Sequence, residues 1–235
     1  MKKKSCAGAF GKLLALPLVA LLIFSGYKVW KITDDYRAEA QQHEAVMDYK
    51  PASEQIVNQS VIDLQAKYPD VVGWLTVPGT KIDYPFVWHK DNDQYLRRDL
   101  DGDYAVAGTL FMDCRCAPDF DSRNTILYGH HMRNGSMFGT LKAFADKEFF
   151  DKNRSGFIYL PYETLTLEFF AYMIVKHTDS EIYSVDPGGS CSEYVRQNAK
   201  HFRDIQLTED DRLITLSSCS YEFNNARMVL LARVK

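Results

Sequence analysis

Cys219 lies in the segment TLSSCSYEF, where an apolar run ends in polar residues, and its thiol is a candidate nucleophile. A free cysteine is more often a small buried side chain, so packing is the competing interpretation. Arg227 follows eight positions later, at the start of the last apolar run. If both runs are antiparallel strands, the seven-residue connection brings the guanidinium back beside the thiol, where it favours the thiolate or neutralises an oxyanion. For Arg227 by itself, a solvated charge at a strand end is the alternative.

A candidate proton acceptor lies in the segment NTILYGHHMRNGSMF, where two histidines follow a glycine. Gly129 has no side chain and permits a sharp exit from the preceding strand. Strand alternation places Tyr128 and His130 on one face and His131 on the other. A cysteine nucleophile needs a group that takes and returns a proton near neutral pH, as histidine does. Spacing leaves open whether His130 meets Cys219, and surface histidines on a loop are the alternative.

Composition and motifs exclude several other classes of site. The formal net charge is -3 and no basic stripe follows the first residues, so nucleic acid is not an expected partner. The five cysteines are too few for a disulfide scaffold. Cys114 and Cys116 form a C-x-C pair, but no second pair of ligands completes a zinc site, so neither a metal nor a cofactor is predicted. Four further histidines have no comparable glycine exit and are interpreted as structural or surface residues: His43, His89, His177 and His201.

The elements that must position these residues are mainly strands. Residues 30–67 are rich in helix formers, and Ser53 is a predicted N-cap. From Val71 onward, short apolar or alternating runs are separated by Gly, Pro, Asp and Asn clusters, which predicts about seven or eight strands. Two helical segments interrupt them, SMFGTLKAFADKEFFDKN and CSEYVRQNAKHF. The expected fold is mainly β with added helices, with a helical neck over 30–70 and a small closed β-barrel over 71–235.

The first residues predict a membrane anchor. Four lysines precede an apolar run from Leu13 to Tyr27: Lys2, Lys3, Lys4 and Lys12. As a helix the run covers roughly 22 Å, short of the ~30 Å hydrocarbon core, although lysines at its ends can snorkel outward. The positive charges predict a cytoplasmic N-terminus. We therefore expect a single-pass protein of the cell membrane, with residues 1–29 as basic tail and anchor and the catalytic domain outside. A cleaved signal peptide is the alternative, disfavoured by the lack of an A-x-A-like site.

Together these segments resemble a class B sortase. TLSSC is similar to the family's T-L-x-T-C signature, with an arginine in the next strand, and YGHHM followed by GSMF is similar to its Gly-His segment. IDYPFVWHKDNDQYL and GTLFMD are similar to further class B segments. The resemblance covers Val71 to Lys235. It implies a sortase-type closed barrel with N-terminal helices and an extra helix, CSEYVRQNAKHF, before the catalytic strand.

The resemblance also implies a cysteine transpeptidase. Cys219 would be the nucleophile, His130 the acid/base, and Arg227 the group that neutralises the oxyanion or positions the substrate. The thiolate would cleave the C-terminal sorting signal of a surface protein after threonine, and an amine of a peptidoglycan precursor would resolve the thioacyl enzyme. Ser218 stands where the family usually has threonine, and its hydroxyl is kept. If Arg227 points away, Arg233 is the alternative.

Substrate contacts are implied by resemblance for six residues: Asn92, Leu96, Ser217, Ser218, Ile182 and Tyr183. For each of them, strand packing or loop solvation is the alternative. Three other functions stay open at this point. They are an exported cysteine peptidase that hydrolyses, a sortase that polymerises pilins on a lysine acceptor, and a non-catalytic membrane-anchored module in which Cys219 is only buried.

Overall fold

The structure is a computed structural model that describes residues 7–52, 57–188, 190–208 and 210–235. Within these residues the chain forms four α-helices: α1 (Ala7–Met47), α2 (Gln59–Lys67), α3 (Lys147–Lys152) and α4 (Ser190–Asn198). It also forms nine strands: β1 (Val71–Thr76), β2 (Asp83–Val87), β3 (Leu110–Met112), β4 (Asn124–Tyr128), β5 (Ser155–Leu160), β6 (Glu163–Lys176), β7 (His201–Phe202), β8 (Leu213–Cys219) and β9 (Ala226–Val234). Two short 3-10 helices cover Gln94–Leu96 and Leu141–Ala145.

Eight of the strands close into a barrel. The hydrogen-bonded order is β5-β1-β2-β3-β4-β8-β9-β6, and the pairing of β5 with β6 joins the two ends, while β7 extends the sheet beside β6. The pairs β2–β3 and β4–β8 are parallel, and the other pairs are antiparallel. Closure removes the exposed edges of an open sheet. The predicted mainly β closed barrel with added helices is confirmed.

Strand β8 is buried in the barrel core along most of its length and reaches solvent at its last residue. Large apolar side chains such as Trp74, Phe86 and Leu216 are fully buried. All six residues of β8 before Cys219 are buried, whereas Cys219 itself is partly exposed. The apolar run therefore holds the strand in the core up to its last residue, and the strand emerges at the thiol.

The helices agree with the prediction in kind but differ in extent. α1 continues unbroken from Ala7 to Met47, and the next helix begins only at Gln59. The predicted cap Ser53 lies outside the described residues. Asn58 precedes α2 and donates from Nδ2 to the carbonyl of Leu160 over 2.6 Å, which ties the start of α2 to the β5–β6 turn. The extra helix that the resemblance implies before the strand of Cys219 is α4.

The chain separates into two compact units, and their boundary follows residue 42. The unit that contains the barrel runs from His43 to Lys235. The other unit contains the described part of α1 before that boundary, which is a single helical stretch. The boundaries predicted from sequence at residues 29 and 70 stay predictions.

The predicted membrane anchor is wrong. Across residues 7–52, 57–188, 190–208 and 210–235, no helix combines the length and the apolar character needed to cross a membrane. The physical reason is the short apolar run from Leu13 to Tyr27, which Lys12 and Lys28 bound. At about 1.5 Å per residue it falls well short of the ~30 Å of a hydrocarbon core. The predicted single-pass placement in the cell membrane is therefore corrected.

Candidate active site

Strands β4 and β8 bring the two candidate motifs together. They run parallel with Tyr128 opposite Ser217, and the Gly129 amide donates to the Ser217 carbonyl over 3.2 Å. Parallel neighbours end at the same edge of a sheet. The Gly-His segment and the Ser-Cys segment, 89 positions apart in sequence (219 minus 130), therefore leave the barrel side by side. His130 and Cys219 both line one cavity of about 260 Å³ at this edge.

Strand β9 supplies the guanidinium to the same cavity. Cys219 and Arg227 lie directly opposite each other in the β8–β9 ladder, so their side chains share one face of the sheet. Arg227 lines the cavity and donates from Nη1 to the carbonyl of Ala226 over 3.1 Å. Among the described residues no carboxylate pairs with it. Its positive charge therefore faces the cavity beside the thiol.

The other candidate arginine lies elsewhere. Arg233 is near the end of β9, opposite Leu213 at the beginning of β8. It forms an ion pair with Glu168 and donates to the carbonyl of Gln206 over 3.0 Å. Arg233 is thus at the opposite end of the strand pair from Cys219, with its charge already paired.

Gly129 is required by close packing. A side-chain carbon built at this position would lie 2.5 Å from Leu110 Cδ2 and 2.8 Å from Phe138 Cγ. These distances are shorter than real contacts of such carbon atoms. A residue with a side chain would force Leu110, Phe138 or the exit of β4 to shift.

The imidazole of His130 is oriented by a backbone carbonyl. His130 Nε2 lies 2.7 Å from the carbonyl oxygen of Leu96. A carbonyl only accepts hydrogen bonds, so Nε2 carries the hydrogen and Nδ1 is the basic nitrogen of the neutral ring. Burial lowers the pKa of His130 below its ordinary value, and the nearby charge of Arg97 acts in the same direction, while the Leu96 bond opposes them. His130 is therefore neutral at pH 7, as a proton acceptor must be.

His131 points away from the cavity and toward the backbone at the thiol. Its Nδ1 lies 3.1 Å from the carbonyl oxygen of Cys219. Its ring packs against Tyr221, with 5.4 Å between the ring centroids. The two side chains therefore point in different directions, as the alternation predicts. His130 contacts the Leu96 carbonyl, and His131 contacts the Cys219 carbonyl.

Five of the six predicted substrate-contact residues line the cavity: Asn92, Leu96, Ser217, Ser218 and Tyr183. Ile182 does not line it, and its side chain is buried, with 1% exposed. Its backbone amide donates to the Asp179 carboxylate, and its carbonyl accepts from the side-chain Nδ2 of Asn124. Ile182 therefore connects the segment before α4 to the barrel.

Hydrogen bonds within the cavity wall hold several of these side chains. The hydroxyls of Tyr183 and Ser217 lie 2.8 Å apart. Burial raises the pKa of Tyr183 to about 12, so its phenol stays protonated at neutral pH. Ser218 Oγ donates to the Gly129 carbonyl over 2.7 Å, and Asn92 Oδ1 accepts from the Cys114 amide over 2.8 Å.

Four further residues of the cavity wall were not among the predicted contacts: Phe111, Tyr128, Gly129 and His177. Tyr128 could have been found, since strand alternation places it on the face of His130. Its hydroxyl donates to Asp113 over 2.8 Å. His177, just beyond β6, is an exposed residue that no local pattern distinguishes.

Asp113 connects the cavity wall to the following turn. Its carboxylate accepts two hydrogen bonds of 2.8 Å from the guanidinium of Arg115. Burial of Asp113 favours the neutral acid, but the hydrogen bonds from Arg115 and Tyr128 outweigh this and lower its pKa. The paired carboxylate therefore stays ionised and holds the Tyr128 hydroxyl in place.

The comparisons with known proteins agree on one family. The model of the sortase domain matches residues 75–235. The chain is 32% identical to sortase B of Listeria monocytogenes, over 95% of this chain and 96% of that protein. The solved structure of Bacillus anthracis sortase B has a TM-score of 0.76 and 32% identity, covering 86% of this chain and 98% of that one. Sortase B from the type II pilus of Streptococcus pneumoniae has a TM-score of 0.63 and 39% identity, covering 74% and 97%.

An eight-stranded closed barrel whose cavity carries a thiol, an imidazole and a guanidinium is the arrangement of a sortase-type transpeptidase. The chain belongs to the sortase family, and its relatives and structural neighbours place it in class B. Enzymes of this family act on sorting-signal substrates by transpeptidation.

Proposed function

We propose that Cys219 is the nucleophile of this class B sortase, with His130 as acid/base and Arg227 as the oxyanion group. The observation that carries the proposal is the convergence of three strand ends on one cavity. Cys219 ends β8, Arg227 faces it across the β8–β9 ladder, and His130 follows β4, the parallel neighbour of β8. Nucleophile, proton carrier and cation are the three parts that thiol acyl transfer requires.

In the proposed reaction, neutral His130 first accepts the proton of the Cys219 thiol, and the resulting thiolate attacks the carbonyl of the peptide bond after a threonine in a sorting signal. Arg227 neutralises the oxyanion, because it lines the cavity opposite Cys219 and none of the described carboxylates pairs with it. His130 as imidazolium gives a proton to the departing amine, which is otherwise a poor leaving group. The products of this half-reaction are a thioacyl enzyme at Cys219 and a released C-terminal fragment.

In the second half-reaction, an amine of a peptidoglycan precursor attacks the thioacyl carbonyl. Neutral His130 accepts the proton of this amine, and the Cys219 thiolate leaves as the new amide forms. The low pKa of His130 favours this role as base. Asn92, Leu96 and Tyr183 would contact the sorting signal, because they line the cavity.

A pilin-type acceptor is the second candidate. The solved structure at 39% identity is a sortase B from a type II pilus of Streptococcus pneumoniae. In that case a lysine side chain of another pilin would replace the peptidoglycan amine, with the same thioacyl intermediate. The two candidates differ only in the acceptor amine. Formation of the thioacyl enzyme is the same in both, so only the second half-reaction can distinguish them.

The test mixes the full chain with a panel of sorting-signal peptides, with and without an amine. Mass spectrometry detects cleavage after threonine and an acyl adduct on Cys219, and Cys219→Ala is the matched control. An adduct that a peptidoglycan-type amine converts into a new amide supports the proposal, and conversion only by a lysine peptide supports the pilin variant. Cleavage that persists in Cys219→Ala would contradict the assignment, and hydrolysis regardless of amine would make the chain a peptidase.

A further inference from the structure

The end of the β4–β8 ladder is reinforced by two side chains rather than by further backbone pairing. The ladder's last backbone bond is the one from the Gly129 amide to the Ser217 carbonyl. Beyond it, Ser218 Oγ donates to the Gly129 carbonyl over 2.7 Å. His131 Nδ1 meets the Cys219 carbonyl at 3.1 Å. Thus a side chain at the end of β8 bonds to the backbone that follows β4, and a side chain that follows β4 bonds to the backbone at the end of β8.

The order along the chain gives these two bonds their significance. His130 lies between Gly129, which accepts the first bond, and His131, which makes the second. Cys219 accepts the second bond and directly follows Ser218, which makes the first. Both residues of the proposed proton-transfer pair are therefore enclosed by the same two cross-links.

The His131 bond fixes the protonation of one ring nitrogen. The Cys219 carbonyl only accepts, so His131 Nδ1 carries a hydrogen. The neutral tautomer with this hydrogen and the imidazolium both keep it, so the bond survives a change of charge on the ring. His131 is thus suited to hold the backbone at Cys219 while His130 gains and loses its proton.

The other side of the histidine segment is also anchored. The Phe138 amide donates to the His130 carbonyl over 3.0 Å, and His131 pairs with Met137 in an isolated antiparallel bridge. The side-chain cross-links then determine how the anchored segment sits against the end of β8.

We propose that Ser218 and His131 are positioning residues, which through their reciprocal bonds to the Gly129 and Cys219 carbonyls set the placement of His130 relative to the Cys219 thiol. The inference rests on the proposed function of Cys219 and His130. It assigns the hydroxyl that precedes the nucleophile and the second histidine to one device. It also accounts for serine in place of threonine at position 218, since the hydroxyl makes the bond and the methyl group does not.

Matched variants of the full chain separate the bond from the volume of each side chain. Asparagine at position 131 carries its amide nitrogen at the position of Nδ1, whereas glutamine carries it one bond further out. Threonine at position 218 keeps the hydroxyl, whereas valine has the same shape without it. Each pair differs mainly in the ability to make the cross-link.

We expect His131→Gln and Ser218→Val to lower kcat by about 10- to 100-fold, because a displacement of about 1 Å in an active site costs that much. For the His131 variants, KM for the cleaved peptide should stay near the wild-type value, since His131 does not line the cavity, whereas Ser218 lines it and its variants are compared by kcat. His131→Asn and Ser218→Thr should recover most of the activity. A merely structural role would change thermal unfolding in these variants without this division between kcat and KM.

A second measurement needs no peptide substrate. Iodoacetamide alkylates Cys219 at a rate that depends on the fraction of thiolate, and peptide mapping measures this rate across pH 5 to 9. The pH profile therefore depends on how the thiol is placed relative to its proton acceptor. His131→Gln and Ser218→Val should shift this profile, while the two conservative variants should match the wild type. Superimposable profiles and equal kcat within each pair would overturn the inference. Cleavage that persists in Cys219→Ala would instead overturn the proposed function, so the two failures are distinct.

Discussion

Cys116 and Cys219 are both unpaired thiols of the barrel unit, and their surroundings differ in every respect that controls reactivity. The side chain of Cys116 is buried with 2% exposed, and its sulfur lies 3.6 Å from the Asn124 carbonyl and 3.4 Å from the Ile126 amide. Burial raises its pKa to about 11. Cys219 is partly exposed at the end of β8, opposite a guanidinium.

Exposure and a nearby cation are the two features that should distinguish a reactive thiol from a packed one. Cys116 bridges the turn after β3 to β4 and stays protonated at neutral pH, so it is inert as a nucleophile. Cys219 opens onto a cavity that also contains Arg227 and His130.

Removing each thiol should have opposite consequences. Cys219→Ala should reduce turnover by about 10,000-fold or more, because loss of a nucleophile removes the covalent route. Cys116→Ala should keep the activity and lower the free energy of unfolding by about 1 kcal/mol, through lost packing and hydrogen bonding. Peptide cleavage assays and urea unfolding of the full chain measure the two effects. Equal loss of activity in both variants would remove the distinction.

Alkylation of the folded chain should discriminate between the thiols without any substrate. Iodoacetamide should modify Cys219 about 1,000-fold faster than Cys116, since Cys116 reacts only after local opening that costs several kcal/mol. Peptide mapping by mass spectrometry gives both rates in one sample. In about 6 M guanidinium chloride the two rates should converge, and a ratio that persists after unfolding would point to a covalent cause instead.

The guanidinium opposite Cys219 should matter far more than the one at the other end of β9. Arg227→Ala should lower kcat by about 100- to 1,000-fold, the usual cost of losing an oxyanion donor. Arg227→Lys should recover only part of this, because an ammonium lacks the planar fork. Arg233→Ala is the matched control on the same strand. It should leave kcat unchanged and lower the free energy of unfolding by less than about 1 kcal/mol, because its ion pair with Glu168 is partly exposed. A larger kcat effect at Arg233 would exchange the two roles.

The smallest expected effect concerns pH. Burial lowers the pKa of both His130 and His131 in the folded chain. Below about pH 6.5 the unfolded chain therefore binds more protons than the folded one, and the free energy of unfolding should fall as the pH drops from 7 toward the folded pKa values. Turnover should decline in the same range, as His130 gains a proton. Urea unfolding at a series of pH values measures the slope.

His130→Gln provides the control for the pH prediction. It removes one of the two depressed histidines, so the stability of this variant should depend less steeply on pH between 7 and 5.5. An unchanged slope would mean that the folded pKa of His130 is not depressed. Since His131 stays in place, part of the dependence should remain.

Much of the fold and of the site follows from local sequence patterns. Apolar runs separated by turn residues predict the barrel, because alternating burial specifies strands over five or six residues. The Gly-His and Ser-Cys segments were recognisable as candidate chemistry, since a histidine after a strand exit and a cysteine at a strand end are local features. The position of Gly129 was also readable, although close packing against Leu110 and Phe138, rather than a special backbone conformation, makes it necessary.

The error about the membrane anchor has a physical reason of its own. The membrane anchor was predicted from lysines beside an apolar run, but the run from Leu13 to Tyr27 lacks the length of a bilayer core. For Ile182, which the resemblance implies as a substrate contact, that role stays a prediction, and its side chain is buried. Burial of a single residue in a loop depends on what packs over it, and no periodicity reports that.

The sequence by itself determined the strands, the class of fold and the identities of Cys219, His130 and Arg227 as candidates, because these depend on residue type and on near neighbours. Only the tertiary structure decided that Tyr128 lies opposite Ser217, and that His131 reaches the Cys219 carbonyl. These contacts join residues separated by 89 and 88 positions (217 minus 128, and 219 minus 131). The register of such distant strands is set by the packing of the whole barrel, which no local pattern encodes.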